Sequence, residues 1–283
     1  MRPKNRGVAL VLVLMIVSVL GLLTLQIGLT AKEQASRAQR LVDRASAEMA
    51  LRSAQSNLLL AMVTSDWAPA ANAPVTNDFA AKWRFDGVPF QVDTATLEIQ
   101  DLAGLLPMPQ PGGSISEFEA LLRAVNIDAS RAATISSSLS KSQAPPENIP
   151  LQDFSELQLM GALSVDELDR IRAAATLFPS RSFNPRNAPP LALSARFSGS
   201  ILEGINSLKA AGRLDESAYY AVTGLGGDET VSFYPGPGFR IGVRVSSGAA
   251  KASEELTLMV DPYSDQPFVL WARKSPAPEY QGQ

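Results

Sequence analysis

Val8 to Leu25 (VALVLVLMIVSVLGLLTL) is an uncharged, almost wholly apolar run of 18 residues. A helix rises about 1.5 Å per residue and a hydrocarbon core is about 30 Å thick, so the run predicts a membrane-spanning helix. The helical pattern continues beyond it: from Gln26 to Met62 there is no proline, Gly28 is the only glycine, and Ala, Arg, Glu, Gln and Leu predominate. Ala35, Ala38, Val42, Ala45 and Met49 recur at three- and four-residue steps, with Arg37, Arg40, Asp43, Arg44 and Glu48 largely elsewhere around the turn. One helix over 8–62 is expected, a rod of roughly 80 Å whose membrane half covers about 8–30. Its small apolar face would let neighbouring helices approach closely.

Trp67-Ala-Pro-Ala-Ala-Asn-Ala-Pro74 breaks this helix. Lys82–Phe85, the turn signal Asp86-Gly87, Pro89–Asp93 and Ala95–Gln100 then read as a small antiparallel meander. Pro107 to Gly113 (PMPQPGG) ends it, and a long helical block follows. Ser116 and Glu119 have capping-box spacing ahead of Phe118, Leu121, Leu122 and Val125, and Asp128 heads a helix around Ala129–Leu139. Ser136–Pro150 is polar and proline-rich, hence a loop. Asp153–Met160, the turn at Gly161 and a second capping box at Ser164 and Glu167 read as a helical hairpin running to about Leu177. Asn184–Pro190 connects to short helices near Ala192–Ala195 and Ile201–Ala211. After Gly212 the period returns to two, predicting strands at Tyr219–Val222, Thr230–Tyr234, Phe239–Ser246, Glu254–Val260 and Phe268–Arg273. In the third of these, Arg240, Gly242, Arg244 and Ser246 alternate with Ile241, Val243 and Val245, giving one wet and one buried face. The order predicts an α+β fold. A long N-terminal transmembrane and amphipathic helix packs on an antiparallel sheet (63–100 and 214–283), interrupted by an inserted all-helical domain (101–213).

At about 150 residues per domain, 283 residues make one or two domains with ample chain for a core. With 46% hydrophobic and 19% charged residues the chain is not a disordered one. It has no cysteine and no histidine, which excludes disulfides, thiolate or imidazole metal sites and Ser-His-Asp catalysis. The net charge of -3 exerts no global pull on nucleic acid. Gly224-Leu-Gly-Gly and Pro235-Gly-Pro-Gly lack the Lys-Ser/Thr of a phosphate loop and read as turns. The hairpin over Leu157–Ile171 places acids at its turn, where a DNA-binding hairpin needs cations. No pair of carboxylates stands out for hydrolysis. A noncatalytic protein with no nucleic-acid partner is expected.

Arg2, Lys4 and Arg6 precede the apolar run and favour a cytoplasmic start, although Lys32, Arg37, Arg40 and Arg44 follow it. Three readings fit this end: a secretory signal cleaved after Ala31, whose usual apolar run is shorter, an uncleaved anchor, or a prepilin leader (1–7) cut after Gly7. A short basic leader ending in glycine, an apolar run starting at Val8 and an unbroken half-amphipathic helix resemble type IV pilins and the pseudopilins of type II secretion. In those families a prepilin peptidase cuts after the glycine and methylates the new terminal amine, which implies Gly7 at the cut and Val8 as the first mature residue. Major subunits carry Glu at the fifth mature position, where this chain has Leu12. A carboxylate in lipid costs on the order of 2.5 to 3.5 kcal/mol unless paired. The partner that the resemblance implies is the terminal amine of a neighbouring subunit, so Leu12 suits a filament tip, and equally a simple anchor.

The order of elements along the whole chain is similar to the general secretion pathway protein K family, the large minor pseudopilins with a helical insertion in a pilin-like domain. The leader, Leu12, Asp101-Leu-Ala-Gly104 after a strand, Asn148–Leu157 (NIPLQDFSEL) before a hairpin, and Asn184, Asn187, Ala188 and Pro189 carry this resemblance. It implies a minor pseudopilin at the tip of the type II secretion pseudopilus, initiating filament assembly for protein export across the outer membrane. Implied partners are other minor pseudopilins in a tip complex, the prepilin peptidase and the membrane. The implied location is the bacterial inner membrane, single-pass, with the globular part in the periplasm. A type IV pilus minor pilin and an unprocessed bitopic envelope binding protein are the alternatives. The family also implies calcium held by carboxylates in the insertion, yet the corresponding stretch Ser136–Pro146 (SSSLSKSQAPP) carries no acid. Asp153, Glu156, Asp166, Glu167 and Asp169 are the remaining donors, at spacings that suit helix caps and solvated faces, so no cofactor is expected.

Overall fold

α1 (Arg6–Thr64) is one unbroken helix of 59 residues that takes Gly21 and Gly28 in its stride, each with open space where a side chain would stand. The structure, a computed structural model, describes residues 6–65, 83–178, 180–225 and 230–275. The connector expected at Trp67–Pro74 lies outside these residues. From Leu10 to Val42 every residue of α1 is exposed, and α1 is long and apolar enough to cross a membrane by length and composition. Only its C-terminal part packs on protein, through buried Ala47, Leu58 and Met62 flanked by Ala50, Leu51, Ala54 and Ala61.

That stripe lies on a five-stranded antiparallel sheet in the order β1-β2-β5-β6-β7: β1 (Phe90–Val92), β2 (Ala95–Asp101), β5 (Gly238–Ser247), β6 (Ala250–Val260) and β7 (Phe268–Lys274). Alternation sends Leu97, Ile99, Phe239, Ile241, Val243, Val245, Leu256, Leu258 and Val260 toward α1, a core sealed by Trp83 and Phe85. Each such aliphatic side chain contributes roughly 1.5–3 kcal/mol on burial. Toward the apolar end of α1, Asp43 accepts the Ala249 N–H of the β5–β6 hairpin at 3.3 Å. β1 and β2 follow the expected meander, whereas Trp83–Phe85 form no strand. Phe85 and Gly87 instead exchange single bonds with β2, Asp101 N–H to Phe85 O at 2.9 Å and Gly87 N–H to Ile99 O at 3.0 Å.

Between β2 and β5 the chain forms a helical layer with its own core: α2 (Ser116–Ala124), α3 (Ala129–Gln143), α4 (Ser155–Gly161), α5 (Val165–Ala174), α6 (Pro190–Arg196), α7 (Gly199–Ala210) and α8 (Glu216–Thr223). Two short parallel strands, β3 (Leu106–Pro107) and β4 (Ala175–Thr176), close it. Several expectations are corrected here. α3 runs on through the loop expected from Ser136, because Ser136, Leu139 and Gln143 are buried and the Gln143 amide donates to Pro109 O at 2.6 Å. α5 stops at Ala174 rather than Leu177, since Ala175 and Thr176 are taken by β4. At Ser116 no capping box forms, because the N-cap is Ile115. Tyr219–Val222 is helix, not strand: Asp215 caps α8 through the Ala218 N–H at 2.8 Å, and Tyr219 is buried among Phe197, Tyr220 and Phe233. Thr230–Tyr234 contributes only an isolated bridge from Val231 to Phe183. Leu214, Tyr219, Val231 and Phe233 all join the helical core, so the insertion boundary expected at Arg213 moves to Pro237.

Leu58 is 1% exposed and Met49 65% exposed on the same helix. Leu58→Ala is expected to cost about 2–5 kcal/mol and Met49→Ala less than about 0.5 kcal/mol, read by urea unfolding of the detergent-solubilised chain.

Candidate functional site

The two cores meet across a polar seam, and one carboxylate organises it. Asp101, fully buried at the end of β2, accepts four N–H donors. Ala103 N–H at 2.9 Å and Gly236 N–H at 3.2 Å reach Oδ1, while the Asn184 and Asn187 side-chain amides reach Oδ2 at 3.0 and 2.9 Å. The insertion starts at Leu102 and ends at Pro237, so Asp101 ties its first turn, its last turn and its central connector to one point. Asn184 also donates to Tyr234 O at 3.0 Å, and its N–H bonds Ala103 O at 2.7 Å. Gly104 is required beneath this connector, since a Cβ there would lie 2.7 Å from the Asn187 backbone. Burial pushes the Asp101 carboxyl above its ordinary value, and the four donors pull it part of the way back.

Beside this clasp the outer face of the sheet is not simply wet, as its alternation suggests. Arg240 turns into the helical layer and donates to Arg172 O at 2.6 Å and Ala175 O at 2.9 Å, satisfying carbonyls at the C-terminus of α5. A cleft of about 380 Å³ remains between the layers, lined by Glu98, Arg172, Arg240, Gly242, Arg244 and Glu255 among others. Its charges neutralise one another, Arg244 with Glu98 at 2.8 Å and Arg172 with Glu255 at 3.2 Å. The arrangement holds two layers together.

Four of the five carboxylates weighed for a metal face backbone N–H groups or arginine. Asp153 accepts Ser155 N–H at 2.7 Å, and Glu156 accepts the N–H groups of Gln152 and Asp153 at 3.0 and 2.9 Å. Glu167 completes the expected capping box with Ser164 and takes both Arg131 amines at 3.0 and 2.9 Å. Asp169 lies 3.9 Å from Arg172, and Asp166 sits in the first turn of α5. Among the described residues, no three acidic side chains gather where they could hold a metal ion.

Gly7 and Val8 lie in the first turn of α1, and Leu12 is exposed within its apolar part. Ala35, Ala38, Val42, Ala45 and Met49 are all exposed, on the side of α1 turned away from its own sheet. Sequence patterning did not find the clasp. The clues to the clasp were a lone acid ending an apolar strand just before Gly104, and an asparagine-rich connector, neither of which reveals its partner.

No protein-family model matches the chain, and no curated protein sequence matches it. Among solved structures it is similar to a chain of the GspK-GspI-GspJ complex from the type 2 secretion system of enterotoxigenic Escherichia coli. The TM-score is 0.52 at 15% identity, covering 86% of this chain and 99% of that one. The two share an α+β fold.

Asp101→Ala removes the shared acceptor of the Ala103 and Gly236 N–H groups and the Asn184 and Asn187 amides, of which only Asn184 keeps another, and is expected to cost at least about 2 kcal/mol by urea unfolding, with proteolysis appearing between residues 102 and 237. The Arg131 guanidinium and the Ser164 N–H hold Glu167 down to about 2, against an ordinary 4.5. A depressed acid stabilises the fold above its unfolded pKa, so the advantage of the native chain over Glu167→Gln should be full above about pH 4.5. It should vanish as pH falls toward about 2, read by thermal melts across pH.

Proposed function

We propose that the chain is a minor pseudopilin of the K type, placed at the tip of the type II secretion pseudopilus, where it initiates filament assembly for export across the outer membrane. The observation that carries this is the combination of a long helix, bare and apolar over its first half, with a sheet interrupted by a helical layer. The chain from the GspK-GspI-GspJ complex, matched over 99% of its length, supports the same assignment and suggests partners of the pilin-like class. Leu12 fits a tip subunit, because a carboxylate without an amine above it would remain unpaired in lipid. The insertion hangs on the sheet face opposite α1, which leaves the small face of α1 free to pack on neighbours. Removal of residues 1–7 by the prepilin peptidase, N-methylation of Val8, single-pass insertion in the inner membrane and a periplasmic head complete the reading. The cleft and clasp serve the fold rather than catalysis or a bound cofactor.

Mass spectrometry of the chain extracted from bacterial membranes with an active prepilin peptidase is expected to show an N-methylated Val8 start. Retention of Met1 to Gly7 would instead assign an uncleaved envelope binding protein. Copurification with pilus rather than secretion subunits would assign a type IV minor pilin.

A further inference from the structure

Between the apolar run and the head lies a stretch of α1 that belongs to neither. The head makes its first contact at Asp43, through the β5–β6 hairpin, and residues 31–42 are exposed on every side. This stretch carries Lys32, Arg37 and Arg40 against Glu33 alone, three cations less one anion, or +2, in a chain whose formal net charge is -3. Arg37 reaches Glu33 only loosely, at 3.8 Å, and Lys32 and Arg40 form no ion pair among the described residues. Arg37 and Arg40 continue through Arg44 at three- and four-residue steps, away from the face of Ala35, Ala38 and Val42. Cations just beyond a spanning helix on this side also run against the charge bias that orients it.

We infer that this collar binds the anionic phosphates of the lipid headgroups while the chain is in the membrane. The inference rests on α1 spanning the bilayer. With hydrocarbon covering about 20 residues from Leu10 to Leu29, the axial rise places Lys32 about 4 Å and Arg37 about 12 Å beyond it. Lys32 then stands in the headgroup layer, and the flexible guanidinium of Arg37 reaches back to it. Arg40, one turn higher, still lies within about a Debye length of its outer edge. The head is thereby held upright above the bilayer, and the cations leave the lipid as a group when the subunit is withdrawn.

The test uses the full chain reconstituted in phosphatidylcholine vesicles containing a minor fraction of phosphatidylglycerol, excised as polymer nanodiscs and analysed for retained lipid by mass spectrometry. Phosphatidylglycerol should be enriched around the native chain, and Lys32→Gln, Arg37→Gln and Arg40→Gln together should lower that enrichment roughly fivefold, as should high salt. The variant leaves the leader cations and the apolar run untouched. An integrated triple variant that retains as much phosphatidylglycerol as the native chain overturns the inference while leaving the spanning helix standing. So does one that keeps the lipid but loses assembly with pilin-like partners, which would give these cations to a protein. A native chain that fails to integrate at all removes the spanning helix itself, and the inference with it.

Discussion

Two crossings of the chain between sheet and helices, and a connector within the helical layer, converge on the buried carboxylate of Asp101. The first turn of the insertion, its asparagine-bearing connector and its last turn each supply N–H donors to it. A charge out of water is tolerable only when its lone pairs are filled, and here the four donors come from three different parts of the same junction. A helical layer of well over a hundred residues can therefore interrupt a small sheet without pulling β2 and β5 apart. The two strands remain paired in full register from Ala95↔Val245 to Asp101↔Phe239.

The seam around that carboxylate is polar, whereas the cores on either side are not. Arg240 fills carbonyls at the end of α5, Arg172 meets Glu255, and Phe178 stacks on Trp271 at 5.0 Å. Trp271 is the extra residue of the β-bulge in β7, and it reaches across Gly238, where a Cβ would stand 3.3 Å from its ring. The sheet thus has two employed faces, one apolar against α1 and one charged against the helices.

α1 divides its surface in a similar way, along its length and around its circumference. Its first half is bare and apolar, its last part is pressed on the sheet through Leu58 and Met62, and the cationic stretch between them touches neither.

Local periodicity was enough to reveal α1, β5, β6, β7 and the hairpin of α4 and α5, because each repeats an apolar spacing over its turns or pleats, and α5 adds its own capping box. Ser164 and Glu167 cap one another within four residues, so that helix start was legible. Tyr219-Tyr-Ala-Val222 misled because aromatic and branched residues favour strands in general, while here an aromatic cluster from distant residues packs against a helix started by Asp215. Ser136–Gln143 misled because Ser136, Leu139 and Gln143 are buried in the helical core and the Gln143 amide finds its acceptor far along the chain, at Pro109 O. The sequence by itself determined the greasy rod, the alternating strands and the absence of cysteine and histidine chemistry, all properties of neighbouring residues. Tertiary structure alone decided that Asp101 meets Asn184, Asn187 and Gly236 and that Arg240 ends α5, since partners so far apart in the chain leave no periodic trace in it.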